Sequence, residues 1–213
     1  MSAIFKTFSI DAKAYDPANP LPMQIMQPND VARVRRFTAS DDTLDRYAEV
    51  VVAEGIELAD YARNPVVMSM HNYEAWPLGH AIAAGVINGK LMIDVEFDPA
   101  DVDEEAEKVL RKIDLRTVNA CSIGFEPVEW YDQGKASSEL KAAYPQARRI
   151  YTRSKLLELT ICPIPANPNA LAAALQRSIL LRYGTDAGAP PTTPEGSAPE
   201  WETVLDRIER MNR

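Results

Sequence analysis

HAIAAGVINGKLMIDVEFD, residues 80–98, is the stretch whose reading sets the fold. Two apolar segments flank Asn88-Gly89. That pair favours the positive φ values of a type I′ turn, so the stretch predicts a β-hairpin. Upstream, VARVRRFTA, AEVVVAEGIEL and the VVM of YARNPVVMSMHNY read as short extended segments, and Pro65 excludes a helix interior. Downstream, Asp98-Pro99-Ala100-Asp101 predicts a helix start, with Asp98 as N-cap and Pro99 at the first position. Val102, Ala106, Val109, Leu110 and Ile113 then recur at helical spacing. RTVNACSIGFEPVEWY and RRIYTRSKLLELTICP read as two more strands, separated by a polar insertion with room for a short helix. Strands with a few interspersed helices make an α+β chain.

Around this core the chain divides by composition. Residues 1–30, ending in the Pro-rich ANPLPMQIMQPND, read as an irregular N-terminal arm, and 31–183 as the main domain. The main domain closes on ALAAALQRSILLRY, a helix pattern with an apolar face. Residues 184–200 are linker-like in their Pro, Gly, Thr and Ser content. Residues 201–213 form a short amphipathic helix pattern on Trp201, Val204, Leu205, Ile208 and Met211.

The 213 residues suffice for a substantial core. A formal net charge of −8 argues against nucleic acid as a partner, because neutralising phosphates requires clustered Lys and Arg. Arg33, Arg35 and Arg36 are the best candidate for a local basic patch, read as an arginine-rich exposed strand. Cys121 and Cys162 form no disulfide framework. The N-terminal MSAIFKTFSIDAKAY has no signal-peptide pattern, and no stretch nears the roughly 18 apolar residues of a membrane span. The expectation is a soluble intracellular protein with no membrane partner and no cofactor.

Chemistry is narrowed by scarcity. The only histidines are His71 and His80, so a Ser-His or Cys-His mechanism must use one of them. His71 follows the apolar strand and precedes polar residues, which suits a base at a strand end. In Ala120-Cys121-Ser122-Ile123-Gly124-Phe125, alternation puts Ser122 and Gly124 on one face, and the bare Gly124 leaves room for a substrate backbone. Glu158, amid Leu156-Leu157-Glu158-Leu159-Thr160-Ile161, is either paired or on a wet edge. A cysteine mechanism through Cys121 conflicts with its inward position, and a metal site from His71, Glu74 and His80 lacks a known ligand spacing.

An ordered set of short motifs narrows the choice further. It comprises Asp45-Arg46, Gly55, Asn64-Pro65, His71, Pro77-Leu78-Gly79, Ser122-Ile123-Gly124-Phe125, Leu157-Glu158-Leu159-Thr160 and Pro165-Ala166-Asn167-Pro168-Asn169-Ala170. In order and spacing it resembles the HK97-type phage prohead protease family across roughly residues 31 to 175. The resemblance implies an assemblin-like β-barrel core of mostly antiparallel strands flanked by helices. It also implies Ser122 as nucleophile, His71 as general base and Glu158 as third member, with His80 the alternative there. The implied function is a serine endopeptidase that removes scaffolding segments during prohead maturation and also cuts itself. Its implied partners are the scaffolding segment of the major capsid protein or a separate scaffold, and a second copy in a homodimer. Its implied place is the host cytoplasm, inside the assembling prohead. The competing reading is a catalytically silent capsid-assembly protein that retains the fold.

Overall fold

The computed structural model describes residues 23–172. By contacts the chain divides into two units, Met1–Tyr183 and Gly184–Arg213, so the linker and terminal helix of the sequence reading lie outside the described residues. Among the described residues nine strands form one sheet: β1 Met23–Gln24, β2 Val34–Asp41, β3 Glu49–Val51, β4 Ile56–Glu57, β5 Val66–Ser69, β6 Gly79–Ile87, β7 Lys90–Phe97, β8 Ala120–Asp132 and β9 Arg149–Cys162. Two helices accompany them, α1 Glu104–Asp114 and α2 Ser138–Ala143.

The hairpin is β6 and β7, paired from Gly79↔Phe97 to Ile87↔Lys90. Asn88 and Gly89 take φ values of 53° and 70°, both in the left-handed region that the turn demands. From it the sheet extends as β2, β7, β6, β5, β9. The long β9 acts as a spine. β3, β4 and β5 lie in succession along one edge, all parallel to it, and β8 runs antiparallel along the other. Residues 170–172 then close the ring between β8 and β2. Cys121 N–H donates to Ala170 O, Ala172 N–H to Asn119 O, and Thr38 N–H to Leu171 O. The result is a nearly closed barrel, mostly antiparallel with a parallel set on β9.

Its interior holds Phe37, Leu91, Ile93, Val95, Phe97, Leu156, Leu159 and Ile161. The apolar face of α1, Ala106, Val109, Leu110 and Ile113, packs into the same cluster. A smaller cluster of Val50, Ala136, Ala147 and Ile150 lies under α2.

Three sequence expectations shift. The helix opens at Asp103 rather than Asp98: Asp103 accepts from Glu105 N–H, whereas Pro99 O receives Val102 and Asp103 N–H in a separate turn. Val102 therefore stays exposed instead of joining the helix face. The helix pattern begun at Ala170 yields to strand-like bridging over Leu171 and Ala172, because those backbone groups fill the seam; its remainder lies outside the described residues. The end of the N-terminal arm also joins the sheet, as β1 pairs with Ala83 and Ala84.

Candidate active site

Three strands assemble the site, with β9 between β5 and β8. Ser122 pairs with Thr160, and Gly124 with Glu158. Directly opposed residues of an antiparallel pair share a face. Ser122, Gly124, Glu158 and Thr160 therefore lie on the outer face, while Cys121, Ile123, Leu159 and Ile161 turn toward the core.

β5 ends where Met70 N–H donates to Ile161 O at 3.1 Å. Met70 and His71 then adopt φ of 53° and 54°. Side-chain-bearing residues are disfavoured there by about 1–2 kcal/mol each, so local contacts must hold the turn. The His71 N–H donates to Thr160 Oγ1 at 2.9 Å, and His71 Nδ1 lies 2.7 Å from Glu158 Oε1. This double anchor folds the imidazole back over β9. Thr160 is fully buried and its role was not visible in the sequence; the cross-strand register is what reveals it.

The Glu158 side chain is only 3% exposed, and that of His71 is 41% exposed. Burial raises the Glu158 pKa, and the His71 imidazole offsets part of that rise. Glu158 Oε2 has no hydrogen-bond partner among the described residues. Gly124 makes room for this carboxylate: a Cβ there would lie 2.4 Å from Glu158 Oε1. The space expected to admit a substrate backbone is thus occupied by the acid. With Glu158 accepting, Nδ1 carries the proton and Nε2 keeps its lone pair. Ser122 is 8% exposed, and its Oγ has no hydrogen-bond partner among the described residues. The nucleophile–base contact is therefore open in this arrangement.

His80, the alternative third member, sits elsewhere. It pairs with Val66 at the start of β5, and its Nε2 lies 3.5 Å from Glu96 Oε2. Cys121 is buried, with Sγ directed to Thr38 O and its thiol pKa pushed up by burial, so it faces away from His71. Among the described residues no His, Cys, Asp and Glu cluster is placed to hold a metal. Arg33, Arg35 and Arg36 pair with Glu107, Asp114 and Asp94. They are braces rather than a basic patch.

The chain beyond β9 also reaches the site. Cys162 ends β9 on one edge of β8, and Ala170 lies on the other edge. Residues 163–169 must therefore cross β8, and the exposed Pro163 and Ile164 put the crossing on the outer face, the face of Ser122. A cavity of about 40 Å³ is lined by Ser122, Ile123, Ala166, Asn167 and Ala170, among others. Within this strap the N–H groups of Ala166 and Asn167 have no acceptor among the described residues. A larger groove of about 1000 Å³ lies beside the His71 turn, lined by Met70, Asn72, Trp76, His80, Asp98 and Val102, but not by Ser122 or Glu158.

A serine hydroxyl on the strand face of a buried carboxylate that holds an imidazole is the side-chain set that a serine hydrolase uses. The comparisons narrow that class. The family model for caudovirus prohead serine proteases matches residues 32–181, and the chain belongs to that family and is a serine peptidase of capsid maturation. Among solved structures, the KSHV protease in complex with a hexapeptide phosphonate inhibitor is similar at 11% identity and a TM-score of 0.41, covering 83% of this chain and 86% of that one. The search of curated proteins found no match.

Proposed function

We propose that the chain is an endopeptidase in which Ser122 is the nucleophile, His71 the general base and Glu158 the carboxylate that orients it. The observation that carries this reading is the 2.7 Å contact between His71 Nδ1 and Glu158 Oε1, on the face that bears Ser122. The Ser122 hydroxyl attacks a peptide carbonyl while His71 Nε2 takes its proton. Glu158 steadies the imidazolium, in surroundings where a buried charge interacts strongly. His71 then protonates the leaving amine, and water cleaves the acyl-enzyme. The unspent N–H groups of Ala166 and Asn167 are the candidate donors to the oxyanion.

The family supports the substrates. These are the scaffolding segment of the major capsid protein or a separate scaffold, and the protease itself, cut inside the assembling prohead by a homodimer. Wild type and Ser122→Ala are to be co-expressed with a capsid precursor. Processing by wild type alone is expected, with a loss of at least about a thousandfold in the variant. Equal processing by both would remove Ser122 as nucleophile.

A further inference from the structure

The strap over β8 is held far more firmly than seam closure requires. Closure is secured by the backbone bonds of residues 170–172. The additional anchors act upstream, at residues 165–169, where the strap passes Ser122. Arg46 grips Pro165 O through Nη1 at 2.6 Å, and its own N–H donates to Ala166 O at 3.0 Å. Asp41 grips the next turn. Its Oδ1 accepts from Asn167 Nδ2 and its Oδ2 from Asn169 Nδ2, both at 2.9 Å. Asn167 Nδ2 also reaches Asp41 O at 2.9 Å, and Asn169 Nδ2 reaches Thr43 Oγ1 at 2.8 Å. Asn167 Oδ1 in turn receives Asn169 N–H.

Both Asp41 and Asn167 are buried. Burial alone would raise the Asp41 pKa, but the hydrogen bonds from Asn167, Asn169 and Thr43 outweigh it and hold the carboxyl below the ordinary range. Pro163, Pro165 and Pro168 fix three φ angles of the strap, which lowers the entropy of holding it still. None of these side chains hydrogen-bonds to Ser122, His71 or Glu158. Two of the sequence motifs without an assigned role, Asp45-Arg46 and Pro165–Ala170, are thereby brought together.

Resting on the reading of Ser122 as nucleophile, we propose that Asp41 and Arg46 are positioning residues for acyl transfer, which fix the strap backbone at Ala166 and Asn167 against the nucleophile's face. They touch neither substrate nor reacting atoms. Their effect belongs in the rate of the chemical step, since a donor displaced by about 1 Å forfeits on the order of a hundredfold.

Asp41→Asn keeps one acceptor oxygen for Asn167 but sets an amide against the Asn169 amide. The double variant Asp41→Asn/Asn169→Asp reverses that pair and restores a donor facing an acceptor. The measurements are kcat and KM on a peptide substrate, the rate at which a phosphonate labels Ser122, and the melting temperature. Asp41→Asn is expected to lower kcat and the labelling rate together, by about tenfold to a hundredfold, with KM unchanged. The double variant should recover most of both rates. Arg46→Lys, which retains a donor for Pro165 O, should stay well above Arg46→Gln. If Asp41→Asn does not fold, the Arg46 pair carries the same comparison.

A kcat within about twofold of wild type in both Asp41→Asn and Arg46→Gln would overturn the proposal. So would a loss confined to KM, or a double variant that regains melting temperature without regaining kcat. Full activity in Ser122→Ala is a different failure, which removes the underlying reading.

Discussion

The barrel contains two histidine–glutamate pairs, and they are built to opposite specifications. In one, Glu96 is saturated: it accepts from Asn29 N at 3.0 Å, Asn29 Nδ2 at 3.3 Å and Asp30 N at 2.6 Å. Its histidine, His80, stands 3.5 Å away with Nε2 lacking a hydrogen-bond partner among the described residues. In the other, Glu158 Oε1 holds His71 at 2.7 Å, and Oε2 has no hydrogen-bond partner among the described residues. Both carboxylates are almost wholly buried. The difference is therefore one of demand rather than depth. A carboxylate already satisfied by backbone donors ties the 29–30 segment to the sheet. An unsatisfied one retains the capacity to steady a proton on its histidine.

The sharpest way to break this contrast is to delete each imidazole. His71→Ala should lower kcat/KM by about a thousandfold or more, whereas His80→Ala should change it by less than about threefold. Peptide-cleavage kinetics decide it, and equal losses would merge the two pairs into one role.

The acids come next and should separate activity from stability. Glu158→Gln is expected to lower kcat by about a hundredfold or more without lowering stability, since a strained buried charge is removed. Glu96→Gln should keep kcat but destabilise by about 2–4 kcal/mol, because three donors lose their charged acceptor. Denaturant melts beside kinetics read both effects. A stable Glu96→Gln, or an unfolded Glu158→Gln, reverses the assignment.

The smallest effect concerns pH. Glu158 has a raised folded pKa, so its stabilising contribution is present below the unfolded value, about 4.3, and is lost as pH rises through the folded one. Asp41 has a lowered folded pKa, so its contribution is present above the unfolded value, about 3.9, and is lost as pH falls through the folded one. From pH 4 toward neutrality, the stability of Glu158→Gln relative to wild type should rise. Toward acid, the deficit of Asp41→Asn should shrink. Urea melts across that range check both signs, and slopes of one sign for both variants contradict the paired directions.

What was legible in the sequence was chiefly local. Asn88-Gly89 announces its own turn through backbone sterics, and alternation alone separates Ser122 from Cys121. Ser122, His71 and Glu158 became a set only through the order of the surrounding motifs. What escaped depended on chain separation. Asp41 and Asn167 lie 126 residues apart, and no spacing rule joins them. In the sequence alone Gly124 signals space for a substrate, because its β9 neighbour Glu158 is 34 positions away. Over Leu171 and Ala172 the helix pattern that starts at Ala170 yields to the edges of β8 and β2, an instance of tertiary demand overriding propensity.

The place of β9 has a consequence in time. It is the last long strand of the described chain, yet it lies between the strand leading to His71 and the strand bearing Ser122, and it supplies Glu158 and Thr160. A nascent chain ending before Arg149 holds the hydroxyl and the imidazole but nothing to bring them onto one face. Synthesis from the N-terminus therefore delays assembly of the site until the spine is made. The proposed catalytic set comes together only as the barrel closes.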